Sequence, residues 1–223
     1  APYISDDRTY IPLRFLADRL GFNVDWISSG KEVHINTNAV AKVFAYYYYT
    51  PISEYSQNIR LFTDIAYRWF MTDGKGELFY EYNDNYKKVL EIADQNGVRK
   101  HASVVLMGKE GLHELLSRQE NRIRLITKLT EKVRTDNYDG VNIDFESMYP
   151  ADGHLFTMFL KELKASLGSQ KLLSVAVSAR TGKENWPIAY QYQQIGEIAD
   201  MVIVMAYDYS YSGSSPGPIA PLW

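Results

Sequence analysis

From residue 41 onward the chain alternates short Val/Ile-rich runs with amphipathic runs of helical period, and that rhythm admits few folds. Strand-like runs stand at "AKVFAYYYY", "FTDIAYRWF", "HASVVLM", "DGVNIDFE", "KLLSVAVSA" and "MVIVMAYDY". Between them, "NYKKVLEIADQNG" sets Tyr86, Val89, Leu90 and Ala93 on one helical face and ends in Gly97, a glycine cap. "ENRIRLITKLTEKVR" places Ile123, Ile126, Leu129 and Val133 inward, and further helices are expected around "LFTMFLKELKASLG" and "AYQYQQIGEIAD". "TDGKGE" reads as a turn. Strands alternating with helices call for parallel pairing with helical crossovers. A closed barrel of this kind has eight strands and typically about 250 residues. Six strand-like segments fall in residues 41–209. The expected fold class is therefore α/β, a (β/α)8 TIM-type barrel truncated after about six βα units, with an open doubly wound sheet as the alternative.

Residues 1–38 follow a different pattern and are expected to form a small α+β N-terminal module, leaving 41–223 as the barrel. "YIPLRFLADRLGF" puts Leu13, Leu16, Ala17 and Leu20 at helical spacing before Gly21. "NVDWI" and "EVHIN" alternate as two short strands around the turn "SSGK". Such a piece is small for an independent fold.

Composition narrows the partners. The 223 residues are 46% hydrophobic and 23% charged with net charge -3, which excludes a strongly basic nucleic-acid or anionic-membrane surface. No run of spanning length implies membrane insertion. The absence of cysteine removes disulfides and thiolate metal sites and leaves the compartment open. His34, His101, His113 and His154 lack ligand spacing, so neither a metal nor another cofactor is expected. The 18 tyrosines serve either as large core side chains with a polar tip or as a carbohydrate cleft.

The stretch "YDGVNIDFES", residues 138–147, carries the chemistry. On a strand, Asn142, Asp144 and Glu146 share one face while Val141, Ile143 and Phe145 share the other. In a barrel the apolar set packs beneath the helices, and the polar set faces the axis near the strand's C-terminal end, where active sites sit. Gly140 permits crowding at the strand's start. Two acids on an interior face are costly unless they work. Like charges about 6–7 Å apart raise one pKa, so that one acid keeps its proton while the other stays ionised. Two acids on one strand cannot straddle a sugar ring as the paired acids of ordinary glycosidases do; if the chain is a glycosidase, the nucleophile must come from elsewhere, and the substrate's own acetamido oxygen is the documented exception.

"DGVNIDFE" resembles the DxxDxDxE signature of glycoside hydrolase family 18, the chitinase-like enzymes, and "MAYDY" (205–209) resembles that family's MxYD. The resemblance covers the chain from about residue 41 to its end. It implies Glu146 as general acid, Asp144 as the acid that orients the N-acetyl group, and Tyr207 as the hydroxyl that bonds the acetamido carbonyl. Met205 would line the pocket floor and Asp208 would help bind the sugar. Asn142 stands where many members have an aspartate, and it can still hydrogen-bond Asp144. The DGVNIDFE form resembles the peptidoglycan-directed, spore-associated branch. "HASVVLMG" lacks the family's SxGG, and the seventh and eighth strands are absent, with Trp223 too early to serve as the tryptophan beneath the sugar. Residues 1–38 are similar to the small domain named after the N-terminus of copper amine oxidase, without a metal-ligand cluster.

The resemblance implies a secreted or cell-wall or spore-associated bacterial glycosidase, cleaving β-1,4 bonds of N-acetylglucosamine-containing polysaccharide, peptidoglycan or chitin, by substrate-assisted retention. A non-catalytic, lectin-like glycan binder of the same fold is the alternative. An unrelated α/β protein is a third. In "YYYY", Tyr46 and Tyr48 share a face and could line the cleft, while Tyr47 and Tyr49 take the other. Trp69 and Trp186 are candidates for sugar platforms or core, and the loop holding Gly213, Pro216, Gly217 and Pro218 for substrate contacts.

Overall fold

The structure, a computed structural model, describes the chain apart from residues 1–2, 6–7, 11–12, 15–16, 18–21, 38–40, 83–84, 181–187, 209, 211–212 and 221–223. Leu16, Leu20 and Gly21 of the expected first helix therefore lie outside the described residues, as do Trp186 and Trp223. Two compact units emerge, residues 1–42 and 43–223. The first holds two hairpins. Strands β1 (Tyr3–Ser5) and β2 (Arg8–Tyr10) pair antiparallel, and β3 (Phe22–Ile27) pairs antiparallel with β4 (Glu32–Thr37) across the predicted turn, where Lys31 has φ 54°.

The second unit is a curled sheet of six parallel strands. In chain order these are β5 (Phe44–Tyr47), β6 (Asp64–Thr72), β8 (Arg99–Met107), β9 (Gly140–Glu146), β10 (Leu172–Ser178) and β11 (Met201–Met205), each parallel to the next. The curl brings together side chains from strands that are not neighbours. The rings of Phe44 on β5 and His101 on β8 lie 5.2 Å apart, with β6 between them. A short β7 (Leu78–Tyr80) pairs antiparallel with β6. Sequence reading ended that region at the turn; three residues are too few for a period-2 signal.

Helices cover the convex face: α1 (Ile52–Asn58), α2 (Tyr86–Gln95), α3 (Lys109–Ser117), α4 (Gln119–Thr135), α5 (Gly153–Leu167) and α6 (Tyr192–Ile198). Helices α1 and α3 were not anticipated. In α4 the buried stripe is Leu125, Ile126, Leu129 and Val133, whereas Ile123 is exposed, against expectation. A stripe that starts at Leu125 keeps the 3.6 period while turning Ile123 a third of a turn toward solvent. Phe145 of β9 stacks on Phe159 of α5 at 5.5 Å, as the apolar face of "VNIDFE" requires. Trp69 is fully buried and packs edge-on against Tyr47 at 5.7 Å, so it belongs to the core and not to a sugar platform.

Two strands stop short of the expected length. β5 ends at Tyr47, whose hydroxyl donates to the carbonyl of Thr50 at 2.8 Å, and Tyr49 turns with φ 51°. The tyrosine alternation therefore breaks after Tyr47, which is buried, while Tyr49 is exposed and covered by no helix. β11 ends at Met205, so Tyr207 and Asp208 lie beyond it, Asp208 with φ 60°. A hydrogen bond from the Ala206 N–H to the Val204 carbonyl, 2.9 Å, turns the chain there.

Gly140 opens β9 under crowding: a β-carbon there would sit 2.4 Å from the carbonyl oxygen of Leu172. Main chain cannot swing away as a side-chain tip can. Gly140→Ala should therefore lower stability by about 1–3 kcal/mol, read as a shift of the urea midpoint. An unshifted midpoint would contradict the close approach.

Candidate active site

The acid pair sits on the concave face. Strand alternation sends Val141, Ile143 and Phe145 to the helices and leaves Asn142, Asp144 and Glu146 inward; Asp144 is 7% exposed and Glu146 half-buried. The end of β9 is tied down by the Gly108 N–H, which donates to the Glu146 main-chain carbonyl at 3.1 Å. Ser147 follows with φ 63°, a backbone conformation uncommon outside glycine that often marks functional turns.

Below the acids, Asn142 is fully buried and held from both sides. It accepts from the Ser103 hydroxyl of β8 at 3.0 Å and donates from Nδ2 to the Ser174 hydroxyl of β10 at 3.0 Å. The Tyr46 hydroxyl of β5 approaches Asn142 across the concave face. Deeper still, Ser174 lies 3.5 Å from His101 Nδ1, and His101 Nε2 lies 3.0 Å from Asp64. Arg99 donates twice to Asp64, both at 2.7 Å. Burial works against the Asp64 charge, but hydrogen bonds from His101, Arg99 and Thr63 win and hold its carboxyl far below the usual range.

Both acids titrate above their ordinary values. Burial is the first cause for Asp144, offset by Arg68 and by hydrogen bonding to Glu146. Burial also leads for Glu146, and the negative charge of Asp144 pushes further the same way. The carboxyl–carboxyl bond favours the proton on Glu146 and the charge on Asp144. The main cause differs from the sequence expectation: desolvation outweighs like-charge repulsion, so both values rise. Asp144 Oδ1 is buried without a protein hydrogen-bond partner, an acceptor left open on this acid.

Tyr207 lies 54% exposed at the mouth, and burial followed by the charges of Asp144 and Glu146 raises its pKa, which places it near both. Tyr46 is raised by burial and then by Asp144. Asp208 acts on Glu146, also raising it. Met205 closes β11 beside Ser178 in register. Tyr48 stands past the end of β5 and is approached by Arg68. Curling thus gathers the predicted Tyr46, Asn142, Asp144, Glu146, Tyr207 and Asp208, while Met205 and Tyr48 sit at the margins.

Four groups were not singled out from the sequence. Ser103 and Ser174 fall opposite Asn142 in register. Tyr190, before α6, donates to the Phe145 carbonyl at 2.7 Å and lines a pocket of about 400 Å³ with Glu146, Ser178 and Lys109. Arg68 of β6 acts on both acids. Only Arg68 left a sequence signal, a charge in the midst of the apolar run from Ile65 to Met71.

A curled βα sheet with an acid pair at the C-terminal end of its fourth parallel strand places those acids where βα-barrel enzymes carry their active sites. Residues 44–223 match the family described as Glycosyl hydrolases family 18, and residues 1–50 match the Copper amine oxidase N-terminal domain. The chain belongs to glycosyl hydrolase family 18. It is 28% identical over 238 residues to YdhD of Bacillus subtilis (strain 168), which carries the name of a sporulation-specific glycosylase; the match covers 96% of this chain and 54% of that protein. Among solved structures it resembles the spore cortex-lytic enzyme SleL of Bacillus megaterium QM B1551 (TM-score 0.69, 25% identity, 86% of this chain, 48% of that one). It shares the fold of a chitinase from Chromobacterium violaceum (TM-score 0.73, 21% identity, 81% of this chain and 60% of that one). The chain thus spans about half the length of YdhD and SleL.

Proposed function

We propose that residues 41–223 form a retaining glycosidase that cleaves β-1,4 linkages next to N-acetylglucosamine in peptidoglycan or chitin, with residues 1–38 as an appended module. The observation that carries this reading is the pair Asp144 and Glu146 together on the concave face, both raised chiefly by burial, with Asp144 Oδ1 left without a protein partner and Tyr207 feeling the charge of both. Glu146 protonates the glycosidic oxygen as the C1–O bond breaks, and the bond's electron pair leaves with that oxygen. The substrate's acetamido carbonyl oxygen bonds to C1. Asp144 Oδ1 accepts the acetamido N–H and balances the cationic oxazolinium, while Tyr207 donates to the acetamido oxygen. Water then attacks C1 and gives its proton to Glu146 as the C1–acetamido oxygen bond breaks and its electron pair returns to the acetamide, and the configuration is retained. Met205, Asp208, Tyr46 and Tyr48 line the sugar site, and Asn142 seats Asp144 from below. The names of SleL and YdhD support a secreted, wall- or spore-associated bacterial setting.

Hydrolysis of peptidoglycan strands and N-acetylglucosamine oligomers, with mass analysis of the fragments, tests the reading. Binding without turnover would favour a lectin-like protein instead.

The pH profile follows from the two raised acids. Glu146 must hold its proton, so activity falls as pH rises through its elevated pKa. Asp144 must be ionised, so activity falls as pH drops through its own. Both limbs of kcat/KM should therefore lie above the ordinary carboxyl range of about 4. An acidic limb at or below that range would count against the assignment.

A further inference from the structure

We infer that Arg68 is the recognition group for a carboxylate carried by the glycan, so that the site proposed above prefers an anionic N-acetylated strand, such as one bearing 3-O-lactyl ethers, over neutral chitin. The inference rests on the glycosidase reading and sharpens it.

Arg68 lies between Tyr67 and Trp69, both fully buried among the aromatics of the convex face, so it takes the opposite, concave face. The register of β6 on β8 shifts between Tyr67 and Phe70, a local bulge at the arginine. Its guanidinium lies 5.6 Å from the centroid of the Tyr48 ring. A pocket of about 280 Å³ opens there, lined by Arg68 with Tyr48, Phe70, Met71, Glu81 and Val105. Val105 is paired in register with Asp144, which sets this pocket one strand from the acid pair.

The arginine is unsatisfied, unlike the other described arginines that are not exposed. Arg99 and Arg122 each make two hydrogen bonds to one carboxylate. Among the described residues Arg68 makes no hydrogen bond, and no carboxylate oxygen, Glu81 included, lies within 4.0 Å of it. A half-buried planar fork with five free donors suits a carboxylate held bidentately. Electrostatics give the same direction. The mouth carries the carboxylates Asp144 and Asp208 beside the protonated Glu146, and these two charges repel an anionic polymer and leave a neutral one indifferent. A cation on the wall offsets that repulsion only for the anionic strand.

The test compares kcat/KM on peptide-free strands of alternating N-acetylglucosamine and N-acetylmuramic acid with free carboxylates, on the same strands amidated, and on N-acetylglucosamine oligomers. The parent chain should favour free over amidated strands by about tenfold or more. Arg68→Met should collapse that ratio to near unity, and Arg68→Lys should retain part of it. If Arg68 only tunes the acids, Arg68→Met moves the pH profile on every substrate and leaves the ratio unchanged, which overturns the inference. A preference confined to peptide-bearing strands also overturns it, since the carboxylate would then be the peptide's. The same ratio read from Kd values of Glu146→Gln decides the matter without turnover, so a failure to hydrolyse counts against the glycosidase reading alone.

Discussion

Glu146→Gln is expected to lower kcat/KM on an N-acetylglucosamine-containing glycan by about 10²–10⁴-fold, with the fold intact. Glutamine keeps the shape and loses the acidic proton, so the leaving oxygen would have to depart as an alkoxide. The loss should fall mainly on kcat, because the proton moves only as the bond breaks. Stability gives a second readout. An acid whose folded pKa is raised disfavours the folded state once pH rises past its unfolded value and the folded form must give up the proton. Burial and Asp144 raise Glu146 in this way. At pH 7 the variant should therefore unfold at the parent's midpoint or above it. An inactive variant with a lowered midpoint would point to a structural glutamate, and undiminished turnover would remove the general acid altogether.

The second large effect lies at the base of the concave face. Asp64→Ala should destabilise the protein by about 3 kcal/mol, the lower end of the range for removing one member of a buried ion pair. His101 is fully buried and loses its carboxylate, whereas Arg99 is 40% exposed and can turn to water. The pH dependence has a definite sign. The Asp64 carboxyl is held below the unfolded value of about 3.9. Its contribution is complete above that value and fades as pH falls further toward the folded pKa. Urea midpoints at pH 7 and pH 3 should separate parent and variant widely at the first and less at the second. An equal gap at both would show that the aspartate acts through packing rather than charge.

The Asp64 network reaches Asn142 through His101 and Ser174, so the same variant also bears on the site. Loosening that chain frees the amide beneath Asp144. Precision at the acid pair thus depends on a polar layer two residues deeper in the sheet.

Local pattern carried much of this. The alternation of Val141, Ile143 and Phe145 with Asn142, Asp144 and Glu146 was enough to assign the faces of β9, because side-chain direction on a strand repeats every two residues. Parallel pairing, though not the strand order, followed from the helices read between the strands, since a parallel neighbour needs a crossover and both a barrel and a doubly wound sheet supply one. Strand ends were less legible. Tyr48 and Tyr207 continue runs of strand-forming residues, yet the chain bends at both. Ile123 satisfied a helical period and still faces solvent, because a period sets spacing and leaves the phase to whatever the helix packs on.

Chain order alone could not bring Ser103, Ser174, His101, Tyr190 and Arg68 into the surroundings of the acid pair. Each comes from a different strand or loop, or from a different level of one, and whether two such side chains meet depends on inter-strand register and on how far the sheet curls. Those are properties of pairing between segments dozens of residues apart. A near-neighbour pattern contains no record of them, so the acid pair was readable in seven consecutive residues while the groups that seat and tune it emerged only when the strands were laid side by side.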